Sequence, residues 1–188
     1  TDQTVNIYSA FLQNEWKNDR WGILIGGRLD KHNMVDNVIF SPRANLRFNP
    51  TQNINLRLSY SSGFRAPQAF DEDMHIENVG GTVAMIERAK NLKEEKSQSF
   101  SASADMYHRF GVFQTNFLIE GFYTRLTDVF VLGEPYDRGD GILVKTRSNG
   151  PGAKVMGLTL EGKVAYLSIL QIQAGLTLQR SRYDEPHK

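Results

Sequence analysis

The sequence predicts an all-β fold: an antiparallel, up-and-down transmembrane β-barrel, of which these 188 residues supply a fragment of about eight strands. Three observations predict it. Apolar and polar residues alternate with period two along most of the chain, which puts successive side chains on opposite faces of a strand. Most alternating runs are about 9 to 13 residues long, above the common length of globular strands and close to that of bilayer-crossing ones. The connections alternate short and long, as in outer-membrane barrels with short turns at one mouth and long loops at the other.

The first two segments, near residues 4–16 and 21–30, read as strands with less regular alternation. "RANLRFN" then sets Ala44, Leu46 and Phe48 against Arg43, Asn45, Arg47 and Asn49. "NINLRLSYS" sets Ile54, Leu56, Leu58 and Tyr60 against Asn53, Asn55, Arg57, Ser59 and Ser61. "NPTQN" between them has tight-turn composition, so the pair reads as a hairpin. "QSFSASADMYHRF" alternates Phe100, Ala102, Ala104 and Met106 with Ser101, Ser103, Asp105 and Tyr107. The next strand opposes Phe113, Phe117, Ile119 and Tyr123 to Gln114, Asn116, Glu120 and Thr124. In the last two, Leu158, Leu160, Val164, Leu170, Ile172 and Leu176 oppose Thr159, Glu161, Lys163, Gln171, Gln173 and Thr177.

Between these strands "KNDR", "NPTQN", "RFG" and "LS" are short, whereas Lys31–Pro42, Gly63–Lys96 and Gly133–Ala153 are long. A soluble sandwich, with hairpin loops of about 2 to 5 residues at both ends, has no reason to keep such an alternation. Within the second long loop, "TVAMIERAKNLKEEK" from Thr82 fits either a short amphipathic helix or a solvated loop. Trp16, Trp21, Tyr60, Phe64, Tyr123 and Tyr166 fall near strand ends or turns, where membrane barrels carry aromatic girdles.

Composition narrows the function. Twenty-two basic and 21 acidic residues give a net charge of +1, too small and too dispersed to favour nucleic acid. The absence of cysteine removes disulfide scaffolds and cysteine-ligated metal sites. No run approaches the roughly 18 consecutive apolar residues of a membrane helix, which leaves membrane barrels open. His32, His108 and His187 are scattered, no serine stands in a nucleophile elbow, and the glycines at Gly26 and Gly80 lack a phosphate-loop context. The expectation is a protein that is not an enzyme and uses no cofactor.

Four segments resemble, in order, those of the C-terminal barrel portion of TonB-dependent outer-membrane receptors. "GFRAPQAFDEDMH" is similar to the family's F-[RK]-A-P segment and its acidic continuation, carried by Phe64, Arg65, Ala66 and Pro67. "EEKSQSFSASADMY" resembles the segment opening the next strand, with Ser97 and Gln98 in place of Pro-Glu. "FYTRLTDVFVL" resembles the Y-x-x-x-x-x-D-x-I pattern through Tyr123, Asp128 and Val129 to Phe130, with slightly different spacing. "NGPGAKVMGLTLEG" resembles N-x-G-x-A-x-x-x-G-x-E-x-E through Asn149, Gly152, Ala153, Gly157 and Glu161, with Thr159 where the family often has Glu.

The resemblance implies that residues 1–188 are part of one β-barrel domain of 22 strands, with the plug, the TonB-contacting box and the other strands lying elsewhere in the parent protein. It implies an outer-membrane location in a Gram-negative bacterium, contact with outer-membrane lipid, and coupling to TonB through the plug. The implied function is energised uptake of a scarce bulky ligand: a ferric siderophore, another metal chelate, haem or cobalamin. The alternative is a soluble all-β binding module for adhesion or carbohydrate recognition.

Candidate residues fall into two sets. Arg47 and Arg57 would face the lumen from neighbouring strands, as partners for acidic plug groups or as solvated lining. In the long loop, Arg65, Asp71, Glu72, Asp73 and His75 are candidate ligand contacts; with Glu77 they form an oxygen-rich cluster without the spacing or glycine of an EF-hand, so no metal site is assigned. The two outermost strands of an isolated segment would expose unpaired edges, predicting pairing between copies or closure into a smaller barrel.

Overall fold

The alternating segments form long strands. The computed structural model describes residues 4–67, 84–89, 91–139, 143–167 and 169–184. In chain order the strands are β1 (Ile7–Lys17), β2 (Trp21–His32), β3 (Ile39–Thr51), β4 (Ile54–Arg65), β5 (Ala84–Arg88), β6 (Glu95–Phe110), β7 (Phe113–Thr127), β8 (Phe130–Leu132), β9 (Tyr136–Asp137), β10 (Leu143–Asn149), β11 (Ala153–Tyr166) and β12 (Leu170–Tyr183). Eight of them make one antiparallel sheet in the order β1-β2-β3-β4-β6-β7-β11-β12. Sequential neighbours pair throughout, the up-and-down wall of a barrel. The long strands run from 11 to 16 residues, somewhat longer than the spacing of sequence signals predicts.

Short turns gather at one end of the wall and long connections at the other. In the turn after β1, the Asn18 side chain accepts hydrogen bonds from the backbone N–H of Arg20 (2.9 Å) and Trp21 (2.7 Å), which fixes the reversal. Gly111 takes φ of 58° in the turn after β6, a conformation glycine adopts without a Cβ penalty. Pro50 lies where the β3–β4 register shifts, between Phe48 and Thr51, and Pro42 lies just before β3 begins to pair with β4. Both prolines therefore sit where a missing N–H costs the ladder little.

The faces follow the predicted alternation. Leu58, Ile172 and Leu178 are 54%, 62% and 60% exposed in the middle of regular strands. Among the described residues only Val35, Ile39, Ala66, Val144 and Ala153 are buried hydrophobics, and none lies under the centre of the wall. A soluble sandwich would cover such a face with a second sheet. The other sheet among the described residues is small and stands at the long-loop end, so the soluble alternative does not fit. Aromatic pairs mark the short-turn margin, with Trp21 stacked on Phe48 at 4.2 Å and Phe113 against Tyr166 at 5.2 Å. Tyr60 and Phe100, 4.7 Å apart, form a second row with Tyr123 nearer the long loops. Phe64 departs from this girdle: it packs under the loops on Val35, Ile39 and Ala66.

Two expectations are corrected. Among the described residues of the stretch from Thr82 there is no helix: Ala84–Arg88 is a strand paired in parallel with β10, which also pairs antiparallel with β8 and β9. Val83, Ile86 and Ala89 repeat every three residues, but backbone pairing with a remote strand outweighs that weak pattern. Second, β1 and β12 stand at opposite ends of the sheet and do not pair, so the chain does not close into a smaller barrel.

Candidate functional site

The motif residues meet at the long-loop rim, where they brace the loops on the wall. Arg65, at the end of β4, lies opposite Glu95 of β6. Its Nη2 donates to Glu95 Oε2 at 3.3 Å while its guanidinium lies 5.0 Å from the centre of the Phe130 ring. The same Glu95 oxygen accepts the Phe130 N–H at 3.1 Å. One carboxylate thus joins three connections: the loop after β4, the start of β6 and the segment after β7.

Asn149 does the same from the other side. Its Oδ1 accepts the Lys93 N–H at 2.8 Å, and its Nδ2 donates to the carbonyls of Lys93 (3.0 Å) and Asp128 (2.8 Å). Asp128 has φ of 54°, a left-handed conformation that Asp tolerates better than most residues. Pro67 contributes its carbonyl, which accepts from Arg88 Nη1 at 2.7 Å. Ala66 and Ala153 are buried where the loops leave the wall. Gly157 is required by contact: a Cβ there would stand 2.5 Å from the Phe122 ring and 2.8 Å from the Leu178 carbonyl.

The remaining motif residues do not join this cluster. Tyr123 belongs to the outward aromatic row and Glu161 to the opposite, polar face. Asp71, Glu72, Asp73 and His75 lie outside the described residues. Among the described residues no group of three or more acidic or histidine side chains is placed to hold a metal ion.

The polar face carries a second arrangement. Arg47 and Arg57 are direct cross-strand partners, and Gly22 faces Arg47 from β2. The glycine leaves room for the Arg47 guanidinium, whose Nε would lie 3.3 Å from a Cβ at position 22. Like charges so placed repel unless an anion or water lies between them. A recess of about 200 Å³ beside them is lined also by Glu15, Asn45 and Ser59.

Nearer the long loops lies a larger recess of about 440 Å³, lined by Phe11, Gln13, Arg28, Ser41, Arg43 and Ser61. Arg28 Nε donates to Asp30 at 2.7 Å, and Ser9 Oγ donates to the same buried carboxylate at 2.5 Å. Ser41 is buried, and its Oγ has no hydrogen-bond partner among the described residues. Above it, His32 is fully buried, with Nδ1 accepting the Met34 N–H at 3.1 Å. Sequence reasoning missed Arg28, Ser41 and Arg43 as a group. The signal was the even-numbered face of "WGILIGGRLDKH", which reads Gly22, Leu24, Gly26, Arg28, Asp30 and His32; its glycines blur the alternation.

Comparisons with known proteins agree with this architecture. The siderophore receptor PirA of Pseudomonas aeruginosa superposes with a TM-score of 0.78 at 17% identity over 96% of this chain and 35% of its own. The ferric enterobactin receptor PfeA gives 0.72 at 19% identity over 94% and 27%, and the FrpB iron transporter of Neisseria meningitidis gives 0.69 at 18% over 95% and 26%. The chain thus spans between about a quarter and a third of these receptors, and the likeness at this identity shows the fold. No curated protein sequence matches. The family model for the TonB-dependent receptor-like β-barrel matches residues 1–187, and the chain belongs to that family.

Proposed function

We propose that this chain is one wall of an outer-membrane receptor that binds a ferric siderophore-type chelate and imports it with energy delivered through TonB. The observation that carries the reading is the amphipathic wall itself. Its eight strands of bilayer-crossing length present an uncovered apolar face on one side and a polar face with Arg28, Arg43, Arg47 and Arg57 on the other. The outer face suits lipid and the inner face a water-filled or plugged lumen, in a Gram-negative outer membrane. The plug and the remaining strands lie in other parts of the parent protein, and the partners of β1 and β12 are strands of that barrel.

Within the lumen, guanidinium groups and a buried hydroxyl with no partner among the described residues favour an anionic, oxygen-rich ligand. That chemistry fits ferric catecholate or carboxylate chelates, in line with the iron and siderophore receptors that share the fold. It does not require cobalamin or haem. No covalent chemistry is assigned to any residue.

The test is uptake of radioactive iron by cells with and without the parent gene, supplied as ferric tris-catecholate, ferric citrate or a neutral trihydroxamate complex, with haem and cobalamin as further arms. The expected result is TonB-dependent uptake of an anionic iron chelate, lost with the gene. Gene-dependent uptake of only haem or cobalamin, or of none of these, would contradict the proposal.

A further inference from the structure

The polar face of the wall is divided by charge. Below the rim, β2, β3 and β4 carry Arg28, Arg43, Arg47 and Arg57 on it against one carboxylate, Asp30, which Arg28 and Ser9 already occupy. Arg43, Arg47 and Arg57 make no ion pair among the described residues. On β6 the same face presents Ser97, Ser99, Ser101 and Ser103. On β7 and β11 it turns apolar and acidic, with Leu118, Glu120, Phe122 and Glu161 beside a single cation, Lys163.

Register makes the basic sector continuous. The upper recess, of about 440 Å³, holds Arg28 beside Ser41 and, one row down, Arg43 beside Ser61. The lower recess, of about 200 Å³, begins at the next row of this face, Asn45 beside Ser59, and ends on Arg47 beside Arg57. Four successive rows are therefore polar, over about 20 Å along the strands. Gly26 and Gly22, the β2 partners of Arg43 and Arg47, add no side chain to these rows. Ser41 is buried, lines the upper recess and has no partner for its Oγ among the described residues, so a hydrogen-bonding solute there would meet an unused group.

We infer that this sector, and not the face of β7 and β11, is the track along which an anionic solute crosses the lumen, passing from Arg28 and Arg43 to Arg47 and Arg57. Guanidinium groups hold oxyanions through paired, charge-assisted hydrogen bonds. Groups spread over four rows cannot all converge on one compact chelate, so each holds it weakly and in turn, which is what passage needs. The cross-strand Arg47–Arg57 pair repels when empty and is relieved by an anion between its members. One sign of charge along a cleft also concentrates anions within it. The inference deepens the function proposed above and rests on its lumenal placement and its anionic cargo.

The experiment uses the full receptor, in a cysteine-free background and in energised cells, with Ser59→Cys on the track or Thr177→Cys on the polar face of β12. Each cysteine is labelled with an anionic and with a cationic methanethiosulfonate reagent. The anionic-to-cationic rate ratio is expected to be at least tenfold higher at position 59 than at 177. Arg47→Gln with Arg57→Gln should lower the ratio at 59 at least fivefold, whereas Arg47→Lys with Arg57→Lys should keep it within twofold. The glutamine pair should also slow uptake of ferric tris-catecholate at least fivefold, with its binding to unenergised cells within twofold of the original. Equal ratios at 59 and 177, a Ser59→Cys receptor that reacts with neither reagent, or uptake by the glutamine pair within twofold of the original each overturn the track. Binding and uptake lost in equal measure overturn it too, because the arginines would then belong to a holding site. A receptor that imports no anionic chelate contradicts the function proposed above, and the labelling contrast then decides the track by itself.

Discussion

The outer and lumenal faces of the wall are built from the same eight strands, residue by alternate residue, yet they obey different rules. On the outer face identity is loose and polarity strict: Leu46, Leu58, Ala102, Gly121, Leu158 and Leu178 share one register row, united by lacking charge. On the polar face polarity is loose and placement strict: Arg47 opposes Arg57, Gly22 makes room for a guanidinium, and Gly157 admits the Phe122 ring. A lipid solvent penalises charge wherever it appears, whereas an aqueous lumen tolerates most groups. What fixes lumenal positions is contact with particular neighbours.

The sharpest way to break this comparison is to put the same charge on adjacent residues of β11. Leu160 lies midway between Tyr166 at the short-turn girdle and Lys154 at the rim. Leu160→Arg should destabilise the whole receptor by about 2 to 4 kcal/mol, the cost of arginine near the bilayer midplane. Thr159→Arg, one residue away on the lumenal side, should stay within about 1 kcal/mol. Denaturant titration of folding into lipid vesicles measures both, and equal costs would remove the distinction between the faces.

A second contrast uses glycines. Gly157→Ala should cost about 1 to 3 kcal/mol because the new methyl meets a ring and a backbone carbonyl that cannot both yield. Gly162→Ala, five residues on and facing open space, should be neutral within about 0.5 kcal/mol. The same titration separates them.

How much of this was readable in advance follows from the range of each interaction. The strand alternation and the division into polar and apolar faces are local, so "NINLRLSYS" shows them without its neighbours. The rim sheet is not local: β5 and β10 pair in parallel across most of the intervening strands, and no nearby residue signals it. That Arg47 and Arg57 share the polar face was legible because each lies in a regular alternating run. Arg28, Ser41 and Arg43, like the succession of rows from Arg43 to Arg57, become groups only once register is known. The loop motifs were legible as sequence, but their bracing role emerged only with Glu95 and Asn149 in place.

Smaller effects sharpen the picture at the rim. Asn149→Ala removes three hydrogen bonds between loops and should cost about 1 to 3 kcal/mol locally. Hydrogen exchange should accelerate at residues 91–95 and 128–132, with the membrane-spanning centres of β7 and β11 unchanged. Arg65→Lys keeps the charge opposite Glu95 but loses the planar contact with Phe130, and should cost less than about 1 kcal/mol because the arginine is half exposed. Unchanged exchange at 91–95 in Asn149→Ala would show that the rim is held by other contacts.

The central claim is that alternate residues of each long strand face lipid and lumen. In a cysteine-free background of the full receptor in membranes, to which this segment contributes no cysteine, single cysteines at Leu56, Arg57, Leu58 and Ser59 can each carry a spin label. Relaxation by dissolved oxygen and by a water-soluble nickel chelate then reports the surroundings of each site. Oxygen access is expected to peak at positions 56 and 58 with low nickel access there, and the opposite phase is expected at 57 and 59. Nickel access that is high and equal at all four positions would contradict it, because both faces would then be in water.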